Sequence, residues 1–373
     1  MKKKILIISK DFYPVNSPRS FRTTELVKEF ASEGHNVTLL IPTKEKNHDE
    51  FEKEYGVKIL DFKGGTYRNF NLSKGSKLIL LLKRVINRLL QILFEYPDIE
   101  LFLKLKAGLR GHKNYDLLIS IATPHQIHWG IARAWNVNKP IAKCWIADCG
   151  DPFMGSTLET FNKMFYFKYI EKWWCRKANF ITIPFEGARN AYYSEFHEKI
   201  KVIPQGFNFK DSVIDDNETY KENVVPTFAY AGSFIPENRD PRAFIEYLIK
   251  SKKDFKFVIF TRNRNLIESY LEEAKGKIEI KNYLERKELL KFLSTMDFLL
   301  NINNSISTQL PSKLIDYCIL KKPILSIDSK GFDEKVVDQF LKGDYTNQLL
   351  IENVEDYRIE NVCKNFLNLS ELN

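Results

Sequence analysis

Apolar residues in this chain fall in short unbroken runs, separated by longer stretches where they recur every three or four positions. Residues 4–9 (KILIIS) make the first run and Val37 to Ile41 the second. Between them Phe21, Leu26, Phe30 and Ala31 keep near-helical spacing up to Gly34. An unbroken apolar run suits a parallel strand buried on both faces, and the wider spacing suits a helix with one covered face. The closing glycine is a C-cap signal. This strand–helix–strand opening predicts a Rossmann-like half.

Further strands are predicted over 116–120, 141–146, 180–183 and 201–203. After Pro204-Gln205-Gly206 a polar, acid-bearing stretch from Lys210 to Asn223 reads as a linker. A second alternation follows, with strands over 227–232, 255–260, 278–280, 298–302 and 323–327 and a helix from Pro241 to Lys250. The predicted class is therefore α/β, with two Rossmann-like domains facing across a cleft. The first covers residues 1–208 and the second 209–350, and a terminal helix over 351–373 is expected to return to the first. Ligands of such sheets sit beyond the carboxyl ends of the strands. Neither G-x-G-x-x-G nor the P-loop pattern occurs, which disfavours a bound dinucleotide.

One segment breaks the rhythm. Leu78 to Leu109 is strongly apolar yet carries Lys83, Arg84, Arg88, Lys104 and Lys106, with Arg110 just beyond. In its first half the apolar positions fall on one broad helical face with cations beside it. A helix of this kind lies in an anionic membrane interface, so peripheral contact through about 78–110 is expected; a core helix with a solvated face has the same letters. The net charge of +9 agrees with an anionic partner. No nucleic-acid-binding motif is present. No run approaches the roughly eighteen apolar residues of a membrane span. The apolar run after Met1-Lys2-Lys3-Lys4 is too short for a signal-peptide core. The five cysteines are scattered and never spaced C-x-x-C, as expected of reduced thiols in the cytoplasm.

Candidate chemistry centres on Gln309-Leu310-Pro311-Ser312-Lys313-Leu314-Ile315-Asp316-Tyr317. It reads as a turn, then a helix opening on a lysine with an acid three residues later. Free amides at a helix start, with an ammonium beside them, suit a phosphate. A carboxylate one turn on can hold the vicinal hydroxyls of a sugar.

The chain resembles the two-domain GT-B glycosyltransferases over nearly its whole length, and most of all the retaining, family 4-like group that builds bacterial surface polysaccharides and lipid-linked sugars. The resemblance rests on the Lys4 to Ser9 strand with Phe12-Tyr13-Pro14, on Gly34-His35-Asn36-Val37-Thr38-Leu39 and on Ala147-Asp148-Cys149-Gly150-Asp151-Pro152-Phe153. Tyr230-Ala231-Gly232-Ser233 and Pro311 to Tyr317 complete it. Three departures stand out: Thr308 and Asp316 replace glutamates common in the group, and Ser233 replaces an arginine.

The resemblance implies transfer of a sugar from a nucleotide-diphosphate donor to a lipid-linked or saccharide acceptor, with retention. A nucleotide-sugar epimerase or a non-catalytic nucleotide-sugar-binding scaffold would share the fold. Lys313 and the amides around Ser312 and Leu314, with Pro311, are assigned to the diphosphate. Arg239 stands second, although a surface base paired with Asp240 or Glu237 would read the same. Gly232, Ser233 and Arg262 complete the donor side, and Asp316 is assigned to the ribose. Asp148 and Asp151 follow a strand predicted to end at Ile146, which places them at the cleft mouth. Asp151 is the catalytic base if the reaction inverts. Arg19, Arg22 and His125 join Asp148 as acceptor-binding candidates. His125 and His128 have helical metal-ligand spacing, but no third ligand is near in sequence. No metal and no cofactor are expected beyond the nucleotide sugar, and the implied location is the inner face of the plasma membrane.

Overall fold

The computed structural model describes residues 1–73, 76–156, 163–210, 223–282, 284–303 and 312–372. Most of the predicted linker, 211–222, lies outside these. Two compact units emerge: Met1–Phe207 with Arg358–Asn373, and Asn208–Tyr357.

In the first unit β1 (Lys4–Ser9), α1 (Pro18–Ser32), β2 (Asn36–Ile41), α2 (Lys46–Tyr55) and β3 (Lys58–Asp61) open the chain. Next come α3 (Lys77–Phe94), α4 (Ile99–Gly108), β4 (Tyr115–Ala122), α5 (Gln126–Ala134) and β5 (Ala142–Cys149). Then α6 (Phe167–Lys177), β6 (Phe180–Ile183) and β7 (Ile200–Val202) complete a seven-stranded sheet, ordered β3-β2-β1-β4-β5-β6-β7. All its pairings are parallel.

The second unit holds β8 (Thr227–Ala231), α7 (Arg242–Lys250), β9 (Lys256–Phe260), β10 (Ile278–Lys281) and α8 (Arg286–Leu293). It continues through β11 (Phe298–Asn303), α9 (Ser312–Ile319), β12 (Ile324–Asp328) and α10 (Glu334–Phe340). Its sheet is also parallel, ordered β10-β9-β8-β11-β12. The chain then returns through α11 (Ile359–Glu371).

Alternation along the strands explains the layers. Leu6 and Ile8 enter one core while Ile5 and Ile7 enter another on the opposite face of the sheet. Phe228 and Tyr230 are separated from Ala229 and Ala231 in the same way in the second unit. Both faces of each sheet are therefore apolar and covered. The strand order reverses between β1 and β4 and again between β8 and β11, so each carboxyl edge opens a crevice at that switch point.

Two boundaries differ from the sequence reading in ways that matter. Ser17 caps α1, its side chain accepting from the Ser20 amide with Pro18 in the first turn, so the helix starts before Phe21 and carries both Arg19 and Arg22. The fifth strand continues to Cys149 instead of stopping at Ile146, so Asp148 lies within the sheet and not beyond its end. A carboxylate is tolerated there because Arg22 meets it. The basic apolar segment is also two helices: Glu95 turns left-handed at φ 56° to end α3, and Pro97 follows.

Helix α11 packs on α1 and the first sheet through Ile359, Val362, Cys363, Phe366 and Leu369, all in one buried cluster. The Ile359 amide donates to the Phe207 carbonyl at 2.9 Å, joining the two ends of this unit. Phe366 is fully buried, whereas Leu372 is 74% exposed. Phe366→Ala is expected to destabilise the first unit by about 3–5 kcal/mol, and Leu372→Ala by almost nothing. Urea unfolding followed by circular dichroism checks the contrast.

Candidate active site

In the second unit the carboxyl end of β8 carries Gly232, whose amide donates to the Phe260 carbonyl at 2.9 Å. Gly232 has φ 152°, and a Cβ there would lie 3.1 Å from the Tyr230 hydroxyl. The conformation favours glycine, and a Cβ would press on the Tyr230 hydroxyl. The buried Tyr317 hydroxyl of α9 accepts from the Ala231 amide at 3.1 Å and so fixes α9 against the end of β8. That contact brings Lys313 over Tyr230, with its Nζ 4.2 Å from the ring centroid. The ammonium nitrogen is buried and has no hydrogen-bond partner among the described residues.

Arg239 stands beside Lys313. A narrow turn, closed by the Arg239 amide on the Ile235 carbonyl at 2.8 Å, brings it back beside Tyr230. Its Nε is also buried without a partner among the described residues, although the residue as a whole is half-buried and its guanidinium hydrogen-bonds the Tyr230 hydroxyl. Asp240 does not neutralise it, because that carboxylate is held by Arg242 at 2.6 Å. Two cations thus stand together with no anion between them among the described residues. Burial, with Arg239 adding to it, lowers the Lys313 pKa to about 7. Burial raises the Tyr230 pKa to about 12, keeping it a neutral platform.

One turn along α9, Asp316 accepts from Arg286 Nη2 at 2.7 Å and Nε at 3.1 Å, both on Oδ1. Its pKa is raised by burial, with Arg286 opposing. Leu314 is buried, Ser233 and Arg262 are exposed, and Pro311, Thr308 and the Ser312 side chain lie outside the described residues. A hollow beyond β9 and β10 is lined by Phe260, Ile280 and Phe292, with Arg264 and Lys281 also in its wall.

In the first unit the predicted acceptor residues divide. Arg22 and Asp148 form a bidentate pair at 2.8 and 3.0 Å, with side chains 4% and 3% exposed. Thr182 adds a hydrogen bond to Asp148 at 2.7 Å, and Arg22 reaches the Ile203 and Pro204 carbonyls beyond β7. These two residues face inward and hold the sheet's carboxyl edge together. Arg19 instead fills the space above Gly150, where a Cβ would lie 2.2 Å from its Cζ. Burial lowers the Arg19 pKa, with Asp148 and Asp151 opposing and Arg22 assisting.

His125 is buried, its Nε2 2.9 Å from the Asp151 carbonyl and its Nδ1 unpartnered. His128 lies between the Ser120 hydroxyl at 2.8 Å and Cys149 Sγ at 3.4 Å. Among the described residues, His125, His128 and Cys149 are the one group able to hold a metal, their donor atoms within 4.8 Å of one another. Three donors are one short of a closed tetrahedral site. Burial pushes His125 down to about 4, His128 well below its usual range and the Cys149 thiol well up, so the set is neutral.

Two comparisons return nothing: no family model and no curated protein matches the chain. Solved structures do match, along its whole length. A glycosyltransferase from Rickettsia africae ESF-5 aligns with TM-score 0.63 at 12% identity, covering 100% of this chain and 99% of that one. TarM aligns at 0.61 and 13%, covering 98% of each. The lipopolysaccharide outer core galactosyltransferase WaaB aligns at 0.58 and 10%, covering 99% of each. A TarM mutant from S. aureus has been solved with UDP bound.

The chain has the GT-B fold. Within that fold the sequence reading missed Tyr230 as the platform under Lys313, Arg286 as the partner of Asp316, and Cys149 beside the histidines. Each is joined to its neighbour by folding alone: Cys149 and His128 are 21 positions apart, and Arg286 and Asp316 are 30.

Removing one member of a buried ion pair leaves the other charged and unmatched. Arg22→Met is expected to cost about 3–5 kcal/mol of stability, and the double change with Asp148→Leu markedly less. Chemical denaturation of the single and double variants measures the difference.

Proposed function

We propose that this chain is a retaining glycosyltransferase that moves a sugar from a nucleotide-diphosphate donor to a saccharide or lipid-linked acceptor in surface-polysaccharide synthesis. The observation that carries this reading is the buried Lys313 ammonium at the carboxyl end of β8, without a hydrogen-bond partner among the described residues and with the Arg239 guanidinium beside it. A desolvated positive charge with a second cation beside it and no counterion is costly unless an anion joins it. A diphosphate supplies that anion. UDP bound to a TarM mutant of the same fold is consistent with it.

In this reading Lys313 and Arg239 hold the diphosphate, and the amides at the start of α9 assist. The bond from the anomeric carbon to the phosphate oxygen breaks and charge grows on the leaving diphosphate. The two cations stabilise that charge more than the ground state. The acceptor hydroxyl bonds to the anomeric carbon from the same face, and its proton passes to the departing phosphate oxygen. Asp316 receives the ribose hydroxyls on Oδ2, the oxygen that accepts nothing from Arg286 among the described residues. The hollow lined by Phe260 and Phe292 takes the base. On the acceptor side the reading uses Arg19, with Asp151 and His125 beside it, and keeps Arg22 and Asp148 as their support. Protein cations neutralise the diphosphate, so the reaction needs no divalent metal.

Lys313→Ala is expected to lower kcat/KM with a nucleotide sugar by roughly 10²–10³ without loss of fold. Asp316→Ala is expected to weaken donor binding by about tenfold. Coupled nucleotide-release assays on mixed acceptors measure both, and wild-type turnover in the two variants would overturn the assignment. Release that needs no acceptor would indicate epimerisation, and no release at all a binding scaffold.

The pH dependence follows from the Lys313 pKa of about 7. An anion binds the protonated ammonium and raises its pKa, so binding takes up a proton as pH rises past 7. Donor affinity is then flat below pH 7 and falls by about tenfold between pH 7 and 8.5. Isothermal titration with a nucleotide sugar checks this, and Lys313→Met should flatten the profile.

A further inference from the structure

The helix α3 is unlike every other long helix of the chain. None of its eighteen residues is buried, although most are apolar. Leu78 is 76% exposed, Leu82 58%, Leu81 57%, Leu89 50%, Ile79 48% and Val85 47%. At 100° per residue these six lie on one side of the helix. The next helix, α4, does the opposite and buries Leu101 and Leu105 against α5. The basic apolar stretch of the sequence is thus one exposed helix and one core helix.

The other side of α3 attaches to its own unit. Asn87 exchanges two hydrogen bonds with the Phe70 backbone at 2.8 and 3.1 Å, and Lys83 reaches the Asn71 carbonyl at 3.1 Å. Phe70 and Leu72, 50% and 41% exposed, extend the apolar surface. Lys77 and Arg84 are exposed and Arg88 half-exposed, and α3 contains no acid. A face of aliphatic side chains flanked by cations matches the boundary between acyl chains and anionic headgroups. A second copy of the chain fits it poorly, because pairing two such faces would bring like charges together with no acid to offset them. No described helix is long and apolar enough to cross a membrane.

Its C-terminal end is fixed to the acceptor edge of the first sheet. Glu95 pairs with Lys163 at 2.8 Å and accepts from Gln126 of α5 at 3.2 Å. Asp98 pairs with Lys10, just beyond β1, at 2.7 Å. These ties lead to the β1–β4 switch point, the edge that also carries Arg19.

We infer that α3 docks the chain on an anionic lipid bilayer and turns the carboxyl edge of the first sheet toward it. The acceptor then reaches Arg19 from the membrane as the polar head of a lipid-linked molecule, an inference that rests on the transferase reading above.

The full chain should sediment with vesicles of phosphatidylglycerol and phosphatidylcholine but not with phosphatidylcholine alone, and salt should release it. Replacing Leu78, Leu82, Val85 and Leu89 together by serine should weaken binding at least tenfold with an unchanged circular dichroism spectrum. Exchanging Lys77, Arg84 and Arg88 for glutamine should weaken it severalfold and remove the salt effect. A photoactivatable phosphatidylglycerol should label peptides from 70–94 and the neighbouring acceptor edge. Full recovery in the supernatant, binding that ignores the serine variant, self-association through α3 without lipid binding, or labelling confined to the second unit would each overturn the proposal. The thermal shift given by UDP should be the same in the serine variant, which separates failure of the docking face from failure of the donor site.

Discussion

A parallel sheet with apolar side chains on both faces must be covered on both faces, and this constraint organises the whole molecule. It forces every strand-to-strand connection to cross over, and the crossovers supply the helices. With the helices occupying the faces, only the strand ends remain for chemistry. The same constraint acts twice, on seven strands in one unit and five in the other, and each time the strand order reverses beside the first strand. Both candidate sites stand at those reversals.

Charge is handled in opposite ways at the two edges. In the first unit Arg22 and Asp148 meet as a bidentate pair, with Thr182 and two backbone carbonyls meeting the remaining polar atoms. Such a pair carries its own counterion and needs no ligand to neutralise it. In the second unit the buried Lys313 ammonium lies over a neutral aromatic ring, with Arg239 beside it and no acid between them among the described residues. The first arrangement holds a sheet edge together. The second is incomplete until an anion arrives, which is why the functional reading rests on it.

The exposed α3 extends this logic to a larger surface. An aliphatic helix face left in water is incomplete in the same sense as an unpaired ammonium. Its ties through Glu95 and Asp98 connect that surface to the edge where an acceptor would bind. In the proposed reading, surface attachment and acceptor delivery would be one geometric feature of the first unit.

Sequence periodicity alone determined the two α/β halves, most strands to within a few residues, and Lys313 and Asp316 on one helix. It did so because strand burial and helix faces are local properties, visible in the spacing of apolar residues. It could not distinguish Arg19 from Arg22, three positions apart on one helix, although one meets Asp148 and the other covers Gly150. Nor could it divide 78–110 into an exposed helix and a buried one, since both carry leucines and bases. Only the tertiary structure decided those points, along with the Tyr230 platform, the Arg286–Asp316 pair and the His128–Cys149 contact. Each depends on which distant side chain arrives at a given place, and pairings between strands and helices far apart in the chain leave no trace in local spacing.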